Sequence, residues 1–144
     1  MEFEELKDRI KSHEGFSPKL YKDTLGKKTI GYGHLCLDTE DWKEGVNYDS
    51  KHLNKVFEYD FNIAVKGANA LLYDCGDVPQ KVKEVIIEMV FQMGKKGVGN
   101  FKKMFAGIKE QKFDVASLEM LDSRWAKQTP NRAQGMSAEM ASLG

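Results

Sequence analysis

The sequence predicts an α+β fold, mostly α, in which a small N-terminal lobe with a β-hairpin is joined by a long helix to a helical C-terminal lobe. Three observations predict it. Apolar residues recur at helical spacing over two long stretches, about 49–70 and 79–93. Between residues 21 and 33 lie two short β-forming segments punctuated by glycine. No internal repeat, low-complexity tract or Pro/Gly/Ser linker divides the chain. With 144 residues there is room for one ordinary domain, or two lobes sharing an element, around a real core. We therefore read residues 1–144 as one domain: a first lobe over about 12–58 plus the N-terminal helix, a linking helix over about 49–70 and a helical lobe over about 71–144.

Phe3, Leu6 and Ile10 keep a helical rhythm, so a first helix is expected from about Glu2 to His13, stopping at Gly15. Tyr21 to Thr24 and Thr29 to Tyr32 read as strands of a hairpin turned by Leu25-Gly26-Lys27-Lys28. From Asp49 the run Leu53, Val56, Phe57, Asp60, Phe61, Ala64 and Val65 marks the linking helix, with Asp49 or Ser50 as its N-cap. Pro79 opens the next helix, whose Val82, Val85, Ile86, Met89, Val90 and Met93 form a wide apolar face, and Gly94 is expected to end it. Shorter helices are expected at Phe101 to Ile108, Asp114 to Arg124 and Pro130 to Met140, the last capped by Thr129.

Charge excludes one class of function. Lys+Arg and Asp+Glu number 22 each, and a net charge of zero lacks the basic face that displaces counterions from nucleic acid. The balance is uneven along the chain: residues 1–60 hold ten basic against thirteen acidic side chains, and residues 61–144 twelve against nine. The first residues, Met1-Glu2-Phe3-Glu4-Glu5-Leu6-Lys7, lack the basic tip and apolar run of a secretory signal, and no apolar stretch is long enough for a bilayer span. The expected setting is therefore synthesis in a cytoplasm with no stable membrane association. Cys36 and Cys75 have no Cys-x-x-Cys or His spacing around them and are expected as free thiols.

Chemistry concentrates in His13-Glu14-Gly15 and in the stretch Tyr21 to His34. A carboxylate at a helix end and another on the following hairpin can face one another as glycoside cleavage requires, with one as acid and one as base or nucleophile. Gly26, Gly31 and Gly33 would let the hairpin turn tightly and leave its backbone open to a bulky ligand. His13, His34 and His52 form no metal-ligand set, and His13-Glu14-Gly15 lacks the second histidine of a zinc-helix motif; neither metal nor cofactor is expected.

These residues carry a resemblance. Glu14-Gly15 after a helix, then Tyr21-Lys22-Asp23-Thr24-x-Gly26-x-x-Thr29-Ile30-Gly31-x-Gly33-His34, is similar to the catalytic signature of glycoside hydrolase family 24, the T-even type of phage lysozyme. Met89 to Gly94, Gly97 to Phe101 and Ser123-Arg124-Trp125-x-x-Gln128-Thr129-Pro130-Asn131-Arg132-Ala133 resemble that family's helical lobe in order and spacing, so the match spans roughly residues 3–133. The resemblance implies a lysozyme-like fold and an endolysin that cuts bacterial peptidoglycan for host-cell lysis. It implies Glu14 as general acid, with Asp23 and Thr29 positioning and activating the attacking water. Leu35, Phe91 and Gln92 match residues lining the saccharide cleft. His34 matches a structural histidine for which Asp60 is the expected partner, and Arg132 matches a basic residue that would hold Glu14 in place. Met89, Met93 and Trp125 are read as core.

The segment Leu35 to Tyr48 is shorter than the family pattern, and the tail after Arg132 is cut short. The expected partner is peptidoglycan, met by a monomer acting on the periplasmic wall, with a separate membrane pore protein providing access. Two other readings share these residues: an inactive peptidoglycan-binding relative, and the lytic domain of a phage tail or antibacterial toxin. The first is disfavoured because Glu14, Asp23 and Thr29 are all present.

Overall fold

A computed structural model describes residues 3–23 and 25–143, so Met1, Glu2, Thr24 and Gly144, with the expected helix start at Glu2 and strand end at Thr24, lie outside the described residues. The fold is mostly helical with one small antiparallel sheet, in the order α1 (Glu4–Glu14), β1 (Ser17–Lys22), β2 (Lys28–Gly31), β3 (His34–Leu35), α2 (Ser50–Leu72), a 3-10 turn (Tyr73–Cys75), α3 (Gln80–Gly99), α4 (Lys102–Lys109), α5 (Phe113–Leu121), α6 (Arg124–Gln128) and α7 (Pro130–Ala141). The chain forms two compact units, Met1–Asn62 and Ile63–Gly144. Helix α2 begins in the first and ends in the second.

In the first unit, the 3.6-residue spacing of α1 buries Leu6 and Ile10, and Gly15 ends the helix. Tyr21 pairs with Thr29 and Lys22 with Lys28 across the β1–β2 hairpin. The sheet then adds β3, with Thr29 opposite Leu35 and Ile30 opposite His34. Leu6, Ile10, Ile30, Leu53, Phe57 and Phe61 are all but inaccessible and form the core. Polar tips secure the same helix pair: Lys7 Nζ donates to Glu58 Oε1 at 2.7 Å and Lys11 Nζ to Asn54 Oδ1 at 3.2 Å. The Asp49 carboxylate accepts from the Lys51 amide at 3.1 Å, serving the exposed donors of the first turn of α2.

In the second unit, Val82, Val85, Ile86, Met89 and Val90 of α3 are buried, as are Met104, Ile108, Met120, Met136 and Met140 of the later helices, and α3 packs on α7. Gly67 lets the end of α2 lie close on α3, for a Cβ there would meet Val90 Cγ1 at 3.1 Å. Among the described residues no helix is long and apolar enough to cross a membrane. Cys36 and Cys75 are free thiols, each made less acidic by burial.

Some boundaries match the sequence expectation and others differ, among them β1, which begins at Ser17 rather than Tyr21. Gly94 ends the first helical run of α3 as expected, with φ 83° and ψ 157°, a non-helical conformation that glycine adopts readily, and a second short helical run follows to Gly99. The expected helix from Asp114 to Arg124 is two, because Ser123 turns extended and its Oγ accepts from the Ala126 amide at 3.1 Å, capping a new helix. Thr129 stands at the N-cap position of α7, before Pro130, as expected, but its hydroxyl makes no cap bond and donates back to Trp125 O at 3.0 Å.

Candidate active site

The first unit sets Glu14 on the final residue of α1, half-buried, with its side chain lying directly on the hairpin. A Cβ built on Gly33 would come within 2.6 Å of Glu14 Oε1 and 3.3 Å of Cδ, and Gly33 has φ +74°. Both facts demand glycine: any side chain would displace the carboxylate, and the backbone conformation is strained for an L-residue. The glycine of the hairpin is thus the floor on which the candidate acid rests.

Asp23 follows β1 and organises the turn. Its Oδ1 accepts from the amides of Leu25 and Lys27, each at 2.9 Å, while its own amide donates to Lys27 O at 2.9 Å. These bonds fix the carboxylate on rigid backbone rather than leaving it to sample rotamers. Thr29, 4 % exposed on β2, donates its hydroxyl hydrogen to Lys27 O at 3.1 Å, which directs its oxygen lone pairs elsewhere as acceptors. Tyr21 shows that the carboxylates share a neighbourhood: burial pushes its phenol up, and the negative charges of Glu14 and Asp23 push it further. In sequence Tyr21 is a strand residue within the motif; its pairing with Thr29 on β2 sets it where the charges of both acids reach it.

His34 stands between two carboxylates. Its Nδ1 donates to Asp60 Oδ2 at 2.7 Å and its Nε2 to Glu40 Oε1 at 3.0 Å. The Asp60 hydrogen bond leads in raising the imidazole to about 9, and with the Glu40 bond and charge it outweighs burial, so the ring is a cation at neutral pH. For Glu40, burial acts upward, but the Leu37 amide at 2.8 Å and His34 prevail and hold it below its ordinary value. Glu40 was not anticipated, since it comes from the shortened segment after Leu35, where no periodicity signals a role. It pins that segment to the hairpin, beside a cluster in which the rings of Trp42 and Tyr48 meet edge-on at 4.8 Å and Trp42 lies 5.6 Å from His52.

The second partner changes what substitution should do. His34→Asn is expected to cost about 2–3 kcal/mol near pH 6, read from chemical unfolding. Asp60→Asn should cost less, because Glu40 still holds the ring; Asp60→Asn with Glu40→Gln should approach the histidine loss. The folded imidazole is raised, so its contribution is full below its unfolded value of 6.5 and fades as pH rises through about 9. Glu40 is lowered, so its share is present above 4.5 and is lost as pH falls through its folded value. An unchanged penalty for His34→Asn at pH 10 would break this account.

Leu35 on β3 is 49 % exposed, an apolar side chain offered to the surface. In the second unit Gln92 Oε1 accepts from Trp125 Nε1 at 2.8 Å, which orients the amide so that its NH₂ can donate. Both residues, with Met93, Phe101, Ser123 and Arg124, line a cavity of about 510 Å³. Phe91 precedes Gln92 on α3 and is half-buried. Met89 and Trp125 are buried as expected, Trp125 lining the cavity too, whereas Met93 is only part-buried on the cavity wall and does not belong to the core. Arg132 Nε donates to Glu88 Oε2 at 2.8 Å, and Glu88 is completely buried. No feature of the motif had drawn attention to Glu88.

A helix-end carboxylate seated against a glycine of a small sheet, with a second carboxylate and a buried hydroxyl on the first hairpin of that sheet, defines a glycoside hydrolase of lysozyme type. The phage lysozyme family model matches residues 11–140, and the chain belongs to that family. It is similar to "Probable T4-type lysozyme 2" of Dictyostelium discoideum, with 31% identity covering 89% of this chain and 88% of that one. It is also similar to "Probable T4-type lysozyme 1" of the same organism, at 34% identity with the same coverage. "Pre-baseplate central spike protein Gp5" of Enterobacteria phage T4 matches at 27% identity over 89% of this chain but 26% of its own length.

Proposed function

We propose that the chain hydrolyses the β-1,4 bond between N-acetylmuramic acid and N-acetylglucosamine in bacterial peptidoglycan, by an inverting acid/base mechanism, as an endolysin releasing phage from its host. The observation that carries this reading is the seating of Glu14 against Gly33, in the turn that follows β2, on the same small sheet whose first hairpin bears Asp23 and Thr29. Glu14 donates its proton to the glycosidic oxygen as the bond to the anomeric carbon breaks. A water held between Asp23 and the Thr29 oxygen attacks that carbon from the opposite face, and Asp23 accepts the water's proton. Leu35 and Phe91 are assigned apolar contact with saccharide, and the Gln92 amide a hydrogen bond to it. His34 and Asp60 hold the hairpin rather than touch substrate.

The part played by Thr29 supports inversion. A retaining enzyme needs its second carboxylate close enough to bond the sugar carbon; an inverting one keeps the carboxyl groups roughly 6.5–9.5 Å apart to admit a water. A hydroxyl fixed beside Asp23 serves to place that water. Proton NMR of fresh cleavage products should therefore show the α-anomer before mutarotation. The β-anomer appearing first, or a glycosyl adduct trapped on Asp23, would recast Asp23 as a nucleophile.

Access to the wall is assigned to a separate membrane pore, with the enzyme acting as a monomer. Lysis should then require permeabilisation of the inner membrane, and lysis by this chain alone from inside intact cells would contradict it. The likeness to a spike protein that is much longer than this chain favours a second setting, in which the same module is the lytic part of a tail. Lysis from outside, on whole cells without a pore, would select that setting.

A further inference from the structure

The segment between β3 and α2 builds a pocket of its own inside the first unit: Glu40, Asp41, Trp42, Tyr48 and His52 line a cavity of about 290 Å³. The hydrolytic mechanism makes no use of it. Three of the lining residues carry aromatic rings, and the rings do not lie flat. Those of Trp42 and Tyr48 meet at 77° with centroids 4.8 Å apart, while the His52 ring lies 5.6 Å from Trp42 and 6.4 Å from Tyr48. The corner they form is braced. Tyr48 Oη accepts from the Lys43 amide at 2.8 Å, the Tyr48 amide donates to Pro18 O at 2.9 Å, and His52 stands in the first turn of α2. Trp42 is part-buried with its Nε1 shut off from solvent, so what the indole offers a ligand is ring carbon and not its N–H.

Charge decides which ligand fits. Residues 38–49 hold five acidic side chains, Asp38, Glu40, Asp41, Glu44 and Asp49, against the single base Lys43. Glu40 is committed to His34, at 3.0 Å. Asp41 is exposed at the pocket and, among the described residues, has no ion-pair partner. The face of an aromatic ring is the negative side of its quadrupole and attracts a cation. Rings set at an angle, with a carboxylate at the rim, surround a compact cation from several sides. A pyranose ring, by contrast, calls for one flat face and gains nothing from the surrounding negative field.

We propose that this pocket is a second binding site, one that takes an organic ammonium group against the Trp42, Tyr48 and His52 rings with Asp41 neutralising its charge. Such a group has two sources: a small ammonium solute, or the free side-chain amine of a diamino acid in the stem peptides of the wall. The second source rests on the peptidoglycan reading above and the first does not.

Proton–nitrogen correlation NMR tests the site, because the chain has only two tryptophans and the Trp42 indole signal is assigned from triple-resonance spectra. Tetramethylammonium is compared with tert-butanol, and butylammonium with butanol, each cation and its neutral partner having the same number of heavy atoms. Sodium chloride at equal ionic strength is the reference. The cations should shift Trp42 Hε1 and the ring signals of Tyr48 and His52 saturably, in the millimolar range, and the neutral partners should bind roughly 3- to 30-fold more weakly. Asp41→Asn, an exposed change checked by circular dichroism, should weaken both cations by about 3-fold or more. Neutral partners that bind as well as the cations overturn the proposal. So does an absence of saturable shifts, or binding that Asp41→Asn leaves untouched. A disaccharide–peptide fragment with a free diamino-acid amine then identifies the source. Trp42 shifts that vanish when the amine is acetylated place the wall peptide in the pocket; no Trp42 shift from the fragment, with the simple cations still bound, selects a small solute; shifts that survive acetylation unchanged show that the pocket does not read the charge and reject the site. Binding of the simple cations by a chain that failed to cut peptidoglycan would leave this site standing and reject only the roles given to Glu14, Asp23 and Thr29.

Discussion

Replacing Arg132 by Met is expected to lower folding stability by about 3–5 kcal/mol, the largest loss of any single polar substitution in the second unit. The reason is what stays behind. Glu88 is wholly buried and Arg132 supplies the charge beside it, so removing the arginine leaves a carboxylate without its cation in a low-dielectric interior. The pair itself need not be strongly stabilising, because desolvation offsets much of the attraction. Hence the double variant, Glu88→Met with Arg132→Met, should recover most of the loss and unfold near the wild type. Urea unfolding of the single and double variants measures this directly. Equal losses in Arg132→Met and the double variant would show that the buried charge is not the cause.

This pair also shows where sequence reading runs out. The elements α1, the β1–β2 hairpin, α2 and α3 were legible because each declares itself locally: helical spacing of Leu6 and Ile10, glycine in the turn, a long apolar stripe. The break at Ser123 was not, since Met120, Leu121 and Trp125 continue an apolar pattern across it and only the bond from Ala126 to the serine oxygen reveals the new helix. Strand β3 has two residues, too few for any alternation, and exists because Thr29 and Ile30 offer it a partner edge. Gly94 signals the break it makes in α3, while the short helical run beyond it, which carries the buried Val98, has no local signal of its own.

The candidate site divides the same way. Glu14, Asp23 and Thr29 stood out through motif spacing, and the structure adds how they are held: Glu14 by the bare backbone of Gly33, Asp23 by two amides of its own turn. Glu40 and Glu88 stood out in no motif. Each acts on a residue distant in the fold's wiring, His34 in one case and Arg132 in the other, and a lone acid in a charged chain looks like surface until its partner is seen. Glu88 is the one acid inside the stripe from Val85 to Val90, and that interruption is its only trace in the sequence.

The central claim is that Glu14 is the proton donor, and the substitution with the largest expected effect on activity is Glu14→Gln. The amide matches the carboxyl in shape, so it can occupy the same seat on Gly33 without a clash, and α1 keeps its buried face of Leu6 and Ile10. It cannot release a proton to the leaving sugar oxygen. Positioned general acid catalysis is worth on the order of 10²–10⁴ in rate, and departure of a poorly activated sugar alkoxide depends on it heavily. The measurement is loss of turbidity of purified peptidoglycan with wild type and Glu14→Gln side by side, circular dichroism establishing that both are folded. The account predicts clearing by the wild type and a rate at least about 100-fold lower for the variant; clearing by folded Glu14→Gln at a rate close to that of the wild type would contradict it.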